Sequence, residues 1–370
     1  MKRVAISVSN DLVTDQRVQR SISVLEEQGY SVNFIGRQVP ESSDFNPDYQ
    51  YHRFKLWFHN GFLFYAQLNV WLFFYLLFQK PYSLYWSNDL DTLLPNFLVS
   101  KIYGRPLIYD SHEYFCGVPE IQNRPLVKAV WQRLEAWIFP KLKWLITVND
   151  SIAALYEADY GIRPRVVRNV GNSFFPKRLK TRKELGLSED HFLVINQGAG
   201  INVDRGMEEC LEALAKCDLK IQLLIVGKGD VLPALKKRAQ EGDLENKVIF
   251  IDPLPYAEML QYTAQADLGI SLDKGSNVNY RFSLPNKLFD YIKAGIPILC
   301  SEVIEVRSIV EDYKIGRVTK VEPKAIKANL EKMREEGSKP YKAALAKAKT
   351  ELNWEQEKQG IVNLLAQINS

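Results

Sequence analysis

The chain has little cysteine, little histidine and almost no net charge. Its four cysteines, Cys116, Cys210, Cys217 and Cys300, are scattered and form no C-x-x-C pair. That argues against a disulfide framework or a zinc site and suits a reducing compartment. Lys plus Arg number 48 against 44 acidic residues, so bulk charge gives no reason to expect nucleic-acid binding. The N-terminus, MKRVAISVSND, turns polar too soon for a secretory signal. The loop after the first predicted strand, NDLVTD, has no glycine. The G-x-G-x-x-G fingerprint is therefore missing, and a dehydrogenase is the least favoured enzyme class. No G-x-S-x-G and no Cys–His motif supplies a side-chain nucleophile. What is present is an ordinary globular composition, 46% hydrophobic and 25% charged over 370 residues, enough for about two domains.

Aromatic residues concentrate in one place, Asn60 to Gln79 (NGFLFYAQLNVWLFFYLLFQ), where fifteen of twenty residues are apolar and none is charged. Twenty helical residues span about 30 Å, the thickness of a bilayer core. Two polar residues, Gln67 and Asn69, sit mid-segment, and the segment lies between two predicted strands of one domain, which opposes a spanning role. Two readings stay open: a buried crossover helix, or a membrane-surface wedge serving a lipid-linked substrate.

Apolar runs alternate with helical patterns. Strands are predicted at Arg3–Ser9, Ser31–Ile35, Leu84–Ser87, Pro106–Asp110, Trp144–Val148 and Arg165–Arg168. A turn-rich stretch, Asn169–Pro176, reads as a linker. A second series follows at His191–Asn196, Ile221–Val226, Lys247–Ile251, Leu268–Leu272, Ile296–Leu299 and Gly316–Val318. Helices are predicted from the first strand to about Gln28, over Thr92–Tyr103, near Arg124–Lys141, and after Asp150–Ser151 as caps. Others cover Arg205–Cys217, Asp230–Gln240 and an amphipathic Trp354–Ile368. Short apolar strands separated by helices imply parallel sheets. The expectation is α/β: two doubly wound, Rossmann-like domains facing a cleft, over 1–172 and 173–352, with 353–370 a helix packing on the first.

Ligands in such sheets bind beyond the carboxyl ends of the strands. In the second half, YRFSLPNKLFDYIKAGIPIL (Tyr280–Leu299) places Pro285, Asn286 and Lys287 in the first turn of a helix. Exposed N–H groups, the dipole and the Lys287 charge favour an anion there. Asp290, three residues on, shares that face and could accept ribose hydroxyls. NQGAGINVDRGMEECLEAL (Asn196–Leu214) is a strand, a Gly-rich loop and a helix starting beside Arg205, a second cation for a diphosphate. Gly198 and Gly200 would let backbone approach a ligand. Gly227-Lys228-Gly229 ends the next strand. In the first half, His112 follows the strand LIYD, where a neutral imidazole could hydrogen-bond a sugar hydroxyl or a departing phosphate oxygen. Asp110 or Glu113 could orient it. Asp89-Leu90-Asp91 is a D-x-D, but Asp91-Thr92 also reads as a helix cap, and no essential metal is expected. Asn10 ends the first strand. Asp15 and Arg17 open the first helix, either as cap and solvated charge or as contacts to acceptor or donor phosphate.

These residues resemble the retaining nucleotide-sugar glycosyltransferases of family 4, which share the GT-B fold. The resemblance runs through DQRV (Asp15–Val18), WSNDLDTLLP, YDSHEYF (Tyr109–Phe115), VVRNV, Arg205-Gly206, VGKGD, ADLGISL, LPNKLFDYIKAGIPIL and the terminal WEQE helix. It implies that Arg205 and Lys287 hold the donor diphosphate and that Gly200, Gly227 and Asn286 belong to the same donor site. It also puts Asp290 at the ribose-binding position and His112 beside the transferred sugar. The family's first acidic position is Phe282 here, with Asn279, Tyr280 or Ser283 as substitutes for its sugar contact. The implied chemistry is transfer from a UDP- or GDP-sugar to a glycan or polyprenyl-linked acceptor with retention of configuration. The leaving phosphate would take the acceptor proton, and no cofactor would be needed beyond the donor. Cell-surface polysaccharide or lipopolysaccharide synthesis is the implied pathway, at the cytoplasmic face of the membrane. A nucleotide-sugar epimerase or sugar phosphorylase, and a non-catalytic binding subunit, are the competing readings.

Overall fold

A computed structural model of the protein describes every residue except Met1, Thr14, Pro40, Glu41, Ser43, Asn123, Asn172, Ser173, Asp218 and Leu219. The chain divides into two units, Met1–Arg168 with Glu357–Ser370, and Asn169–Gln356. Part of the expected 169–176 linker lies outside the described residues.

In the first unit the strands are β1 (Lys2–Asp11), β2 (Tyr30–Arg37), β3 (Gln50–Phe54), β4 (Leu84–Asn88), β5 (Leu107–Ser111), β6 (Trp144–Thr147) and β7 (Arg165–Val166). They pair in parallel in the order β3-β2-β1-β4-β5-β6-β7. In the second unit β8 (Phe192–Gly198), β9 (Ile221–Gly227), β10 (Val248–Ile251), β11 (Leu268–Ser271), β12 (Ile298–Cys300) and β13 (Gly316–Val318) pair in parallel in the order β10-β9-β8-β11-β12-β13. Strands covered on both faces need apolar residues at successive positions, and Val4, Ala5 and Ile6 are all fully buried. In each sheet the chain starts centrally, winds one way, then returns to the other side of its first strand. The order reverses between β1 and β4, and between β8 and β11. Such reversals open a crevice at the strand ends.

β3 was not expected. Its sequence, QYHRF, is polar because it is a half-exposed edge strand paired only to β2. Helices Tyr256–Gln265, Ile304–Tyr313, Pro323–Glu336 and Lys342–Glu351 also went unread. The expected cap at Asp150–Ser151 belongs one residue earlier: the Asn149 side chain accepts from the Ile152 N–H at 2.9 Å.

Helix Gly61–Phe78 connects β3 to β4, two strands of one parallel sheet. It is long and apolar enough to cross a membrane by length and composition alone, with mean hydropathy 1.6. It is not buried all round, as a core crossover helix would be. One stripe, Phe64, Gln67, Leu68, Leu72 and Leu76, is buried. Phe62, Leu63, Val70, Phe74 and Phe78 face outward, Phe78 being 79% exposed. The Gln67 Oε1 accepts from the N–H groups of Trp57 and Phe58.

The last helix, Trp354–Asn369, lies in the first unit from Glu357 on. The Glu357 carboxylate, 7% exposed, takes the Arg168 guanidinium at 2.6 and 2.7 Å and the Arg168 N–H at 2.8 Å. Glu357→Ala is expected to strand that donor set and cost on the order of 2 kcal/mol, read as faster proteolysis of the C-terminal helix. An unchanged cleavage rate would show that the apolar face, Ile361, Leu364 and Leu365, holds the helix alone.

Candidate active site

The second unit places two cations at the ends of its central strands, one on a carboxylate and one on an amide. Arg205 precedes helix Met207–Ala215, and its Nη1 lies 2.6 Å from Asp273 Oδ2, just past β11. Its guanidinium also sits over the Tyr280 ring, 4.0 Å from the centroid. Ser283 donates to the same Asp273 oxygen at 3.1 Å, and Ser301 to the Asp273 carbonyl at 2.6 Å. Asp273 is 2% exposed. Lys287 lies in the first turn of helix Asn286–Ala294 and donates to Asn196 Oδ1 on β8 at 2.8 Å. Burial pushes its pKa down, the nearby Arg205 adds to that, and Asp273 works against both. A lysine held this way gains by meeting an anion. Both cations therefore lie at the β8/β11 reversal. Asp273 also lines a cavity of about 380 Å³ with Lys274, Arg281, Ser301 and Glu302.

Other expected donor residues are placed differently. Pro285 is the N-cap residue, and the helix starts at Asn286, which is exposed. Asp290 is turned inward, 3% exposed, with Oδ2 accepting from Gln197 and Oδ1 from the Tyr256 hydroxyl at 2.6 Å. The expectation of an open carboxylate beside Lys287 gives way to a buried one, tying its helix to β8 and to helix Tyr256–Gln265. Gly227 is needed by the chain itself: at φ +135° a Cβ would stand 1.9 Å from the Gly198 carbonyl oxygen. Gly200 is exposed, with open space where a Cβ would go. Asn279 is 9% exposed, in a short helix capped by Asn277.

In the first unit a second cluster forms at the ends of β4 and β5. Arg17 donates to Asp110 Oδ1 at 2.7 Å and to the Val167 carbonyl at 2.9 Å, and is 5% exposed. It is a buried strut whose two Nη atoms bond inside the unit, where the sequence left open a solvated charge or a contact to acceptor or donor phosphate; its Nε has no partner among the described residues. Asp15 caps its helix, accepting from the Val18 N–H. Asn10 is exposed at the end of β1. Asp110 is 1% exposed, and its Oδ2 lies 3.9 Å from His112 Nε2, too far for a hydrogen bond. The group on His112 Nδ1 is Asp89, at 3.3 Å. Glu113 has an exposed side chain, and its carbonyl accepts from Ser111 and Tyr156. Burial by itself would lower the His112 pKa, but Asp89 and Asp110 outweigh it and hold it above the ordinary value, with Arg17 opposing. The D-x-D does not form a side-chain cap. Thr92 donates instead to the Asn88 carbonyl, and Asp91 is buried beside Ser9.

Residues 177–351 match the family model for glycosyl transferases group 1. The second unit is a group 1 glycosyl transferase domain. The chain is also similar throughout to solved structures. Sucrose-phosphate synthase from Thermosynechococcus elongatus is 16% identical, with 100% of this chain and 99% of that one covered and a TM-score of 0.81. HepE from Anabaena, solved with UDP, is 17% identical over 99% and 100%, with a TM-score of 0.74. WaaG, a glycosyltransferase involved in lipopolysaccharide biosynthesis, is 15% identical over 98% of each chain, with a TM-score of 0.71. No curated protein matches in sequence. The fold of the whole chain is GT-B.

Reading by motif missed Asp273, Asn196 and Gln197, which look like ordinary strand-end polar residues. It also missed what Asp89 does. The usable signal was position, since each falls at or just past the end of a central strand.

Proposed function

We propose that this chain transfers a sugar from a nucleotide-diphosphate sugar, UDP- or GDP-linked, to a glycan or polyprenyl-linked acceptor with retention of configuration. The observation that carries the reading is the meeting of Arg205 and Lys287 on Asp273 and Asn196 at the β8/β11 reversal. Two cations and a helix N-terminus there oppose the charge that builds on a leaving diphosphate. Support for the donor class comes from HepE, a structural neighbour solved with UDP and with UDP-glucose. In this mechanism the acceptor hydroxyl attacks the face from which the diphosphate departs, and the leaving phosphate takes its proton. His112 Nε2 meets the sugar.

Calorimetric titration with UDP, GDP, ADP and CMP, with and without EDTA, tests the donor site. Binding of one diphosphate that survives EDTA is expected. No binding by any would favour a non-catalytic subunit. Incubating the donor without acceptor separates transfer from epimerisation, because an epimerase turns over alone, and NMR of the product anomer tests retention.

The acceptor reading extends to the cytoplasmic face of the membrane. The exposed face of helix Gly61–Phe78 is joined by helix Pro125–Ile138, where Leu126, Val130 and Trp137 are 83%, 54% and 46% exposed. Tyr65 and Trp131 pack between the two helices at 5.3 Å. Arg124, Lys128, Arg133 and Lys141 accompany the second helix. Apolar side chains flanked by cations suit an anionic lipid surface. Replacing Phe62, Phe74 and Phe78 with serine is expected to lower vesicle partitioning at least tenfold, at about 1.5–3 kcal/mol per buried aromatic, with Tm unchanged. Co-sedimentation with phosphatidylglycerol vesicles measures it, and equal binding by the variant would defeat the membrane reading.

A further inference from the structure

Asp89 adopts a backbone conformation that its side chain makes unfavourable. It has φ 55° and ψ 169°, a region occupied essentially by glycine alone. Nothing in the turn itself requires a carboxylate, and a glycine would follow the same path without strain. The side chain therefore calls for a reason, and the reason lies across the sheet.

Asp89 follows β4, and His112 follows β5, its parallel neighbour. The Asp89 N–H donates to the Asp110 carbonyl at 2.9 Å, and Asp89 Oδ1 accepts from the His112 backbone N–H at 2.9 Å. Its other oxygen, Oδ2, stands 3.3 Å from His112 Nδ1. One carboxylate thus holds both the backbone and the ring of His112. The opposite ring nitrogen is treated differently. His112 Nε2 is buried with no hydrogen-bond partner, and so is Asp110 Oδ2, 3.9 Å away. The second Asp110 oxygen is taken up by Arg17. The ionisable groups acting on the ring are Asp89, Asp110, Arg17 and Asp15.

We propose that Asp89 is the positioning residue of His112: it keeps the proton on Nδ1 and leaves Nε2 as the ring atom that accepts from a sugar hydroxyl. An imidazole with a carboxylate on one nitrogen has its tautomer chosen by that bond. The contacts of the carboxylate to the backbone and ring of His112 then hold the strained turn in place, as backbone outliers persist where their surroundings fix them. The inference rests on the glycosyl transfer reading for its consequence on turnover, but not for the tautomer.

Two full-length variants test it. Asp89→Gly removes the carboxylate and relieves the turn. Asp89→Asn keeps the shape and the tolerance of positive φ but presents either an amide donor or a weaker acceptor to Nδ1. The first readout is the ring ¹⁵N–¹H spectrum, in which His112 is assigned among the four histidines by its absence from His112→Gln. The Nδ1–H tautomer is expected in the native protein, and its loss or mixing in both variants. The second readout is kinetic: kcat is expected to fall on the order of 10²-fold with nucleotide affinity unchanged. The third is Tm, which Asp89→Gly is expected to keep or raise. An unchanged tautomer in both variants, or full turnover by Asp89→Gly, would overturn the proposal. If Asp89→Gly fails to fold, Asp89→Asn decides alone. If the native protein neither binds a nucleotide nor turns over, the transfer reading fails, while the tautomer result still judges Asp89.

Discussion

Arg205→Ala is expected to destabilise the second unit by about 3 kcal/mol or more and to abolish diphosphate binding, whereas Lys287→Ala should weaken binding with little loss of stability. The difference follows from what each cation leaves behind. Arg205 removal strands Asp273, which is 2% exposed and 2.6 Å from the guanidinium. Breaking a buried pair from one side typically costs about 3–5 kcal/mol, because a charge is left without compensation. Lys287 leaves only the neutral Asn196 amide, to which it donated at 2.8 Å. Its own burial disfavours the charge, so its loss relieves a desolvation cost. What is lost is a charge-assisted bond to the donor phosphate, worth about 1.5–3 kcal/mol, or roughly ten- to a hundredfold in Kd. A double variant, Arg205→Met with Asp273→Leu, removes both charges and should recover most of the stability without recovering binding. Calorimetry with UDP or GDP and thermal melts provide both readouts. If Lys287→Ala binds the diphosphate as the native chain does, the phosphate site is wrongly placed.

The fold was legible because its strands are buried on both faces. A run such as VAIS in β1 has few alternatives to a central parallel strand, and alternation with helices then dictates the winding. β3 escaped because an edge strand need not be apolar, and QYHRF carries no periodic signal. The site was legible where a residue's role depends on its own element. Lys287 in a first helical turn and Arg205 after a Gly-rich loop are such cases. It was not legible where the role depends on a partner distant in sequence. Spacing put Asp290 on the face of Lys287, but Gln197 and Tyr256, which hold the carboxylate inside, come from other elements. Spacing likewise left Arg17 undecided between a solvated charge and a contact to acceptor or donor phosphate, and only the fold supplied Asp110 and the Val167 carbonyl. Asp89 was visible as half of a D-x-D, yet its function depends on a dihedral angle and on a neighbouring strand end.

The first unit should lose stability as pH rises from about 5 to about 8. Two of its buried carboxyls have pKa values pushed up to about 7. Asp91 is raised by burial and then by Asp89, with a bond from Ser9 opposing. Glu135, fully buried on helix Pro125–Ile138, is raised by burial, while bonds from Tyr160 and Cys116 oppose. Folded, each keeps its proton up to about pH 7; unfolded, each releases it near the ordinary carboxyl value of about 4. Between those limits the folded state binds more protons, so unfolding becomes easier as pH rises, and the loss is complete above about 7. His112, held above its ordinary value, acts in the same direction: its contribution is present below about 6.5 and lost as pH passes the raised value. Lys287 has the opposite sign in the second unit. Its lowered pKa means that the unfolded chain binds the extra proton, so stability there rises with pH towards the ordinary lysine value. The units can be told apart by fluorescence, because six of the seven tryptophans precede residue 168 and only Trp354 follows. Urea unfolding followed by tryptophan emission at about pH 5, 6 and 8 should show a falling ΔG, with about 3 kcal/mol per carboxyl as an upper bound. Asp91→Asn and Glu135→Gln should each flatten the slope and raise ΔG at the alkaline end. A ΔG that stays level or climbs between about pH 5 and 8 would show that these carboxyls ionise in the folded chain, with water or a cation reaching them.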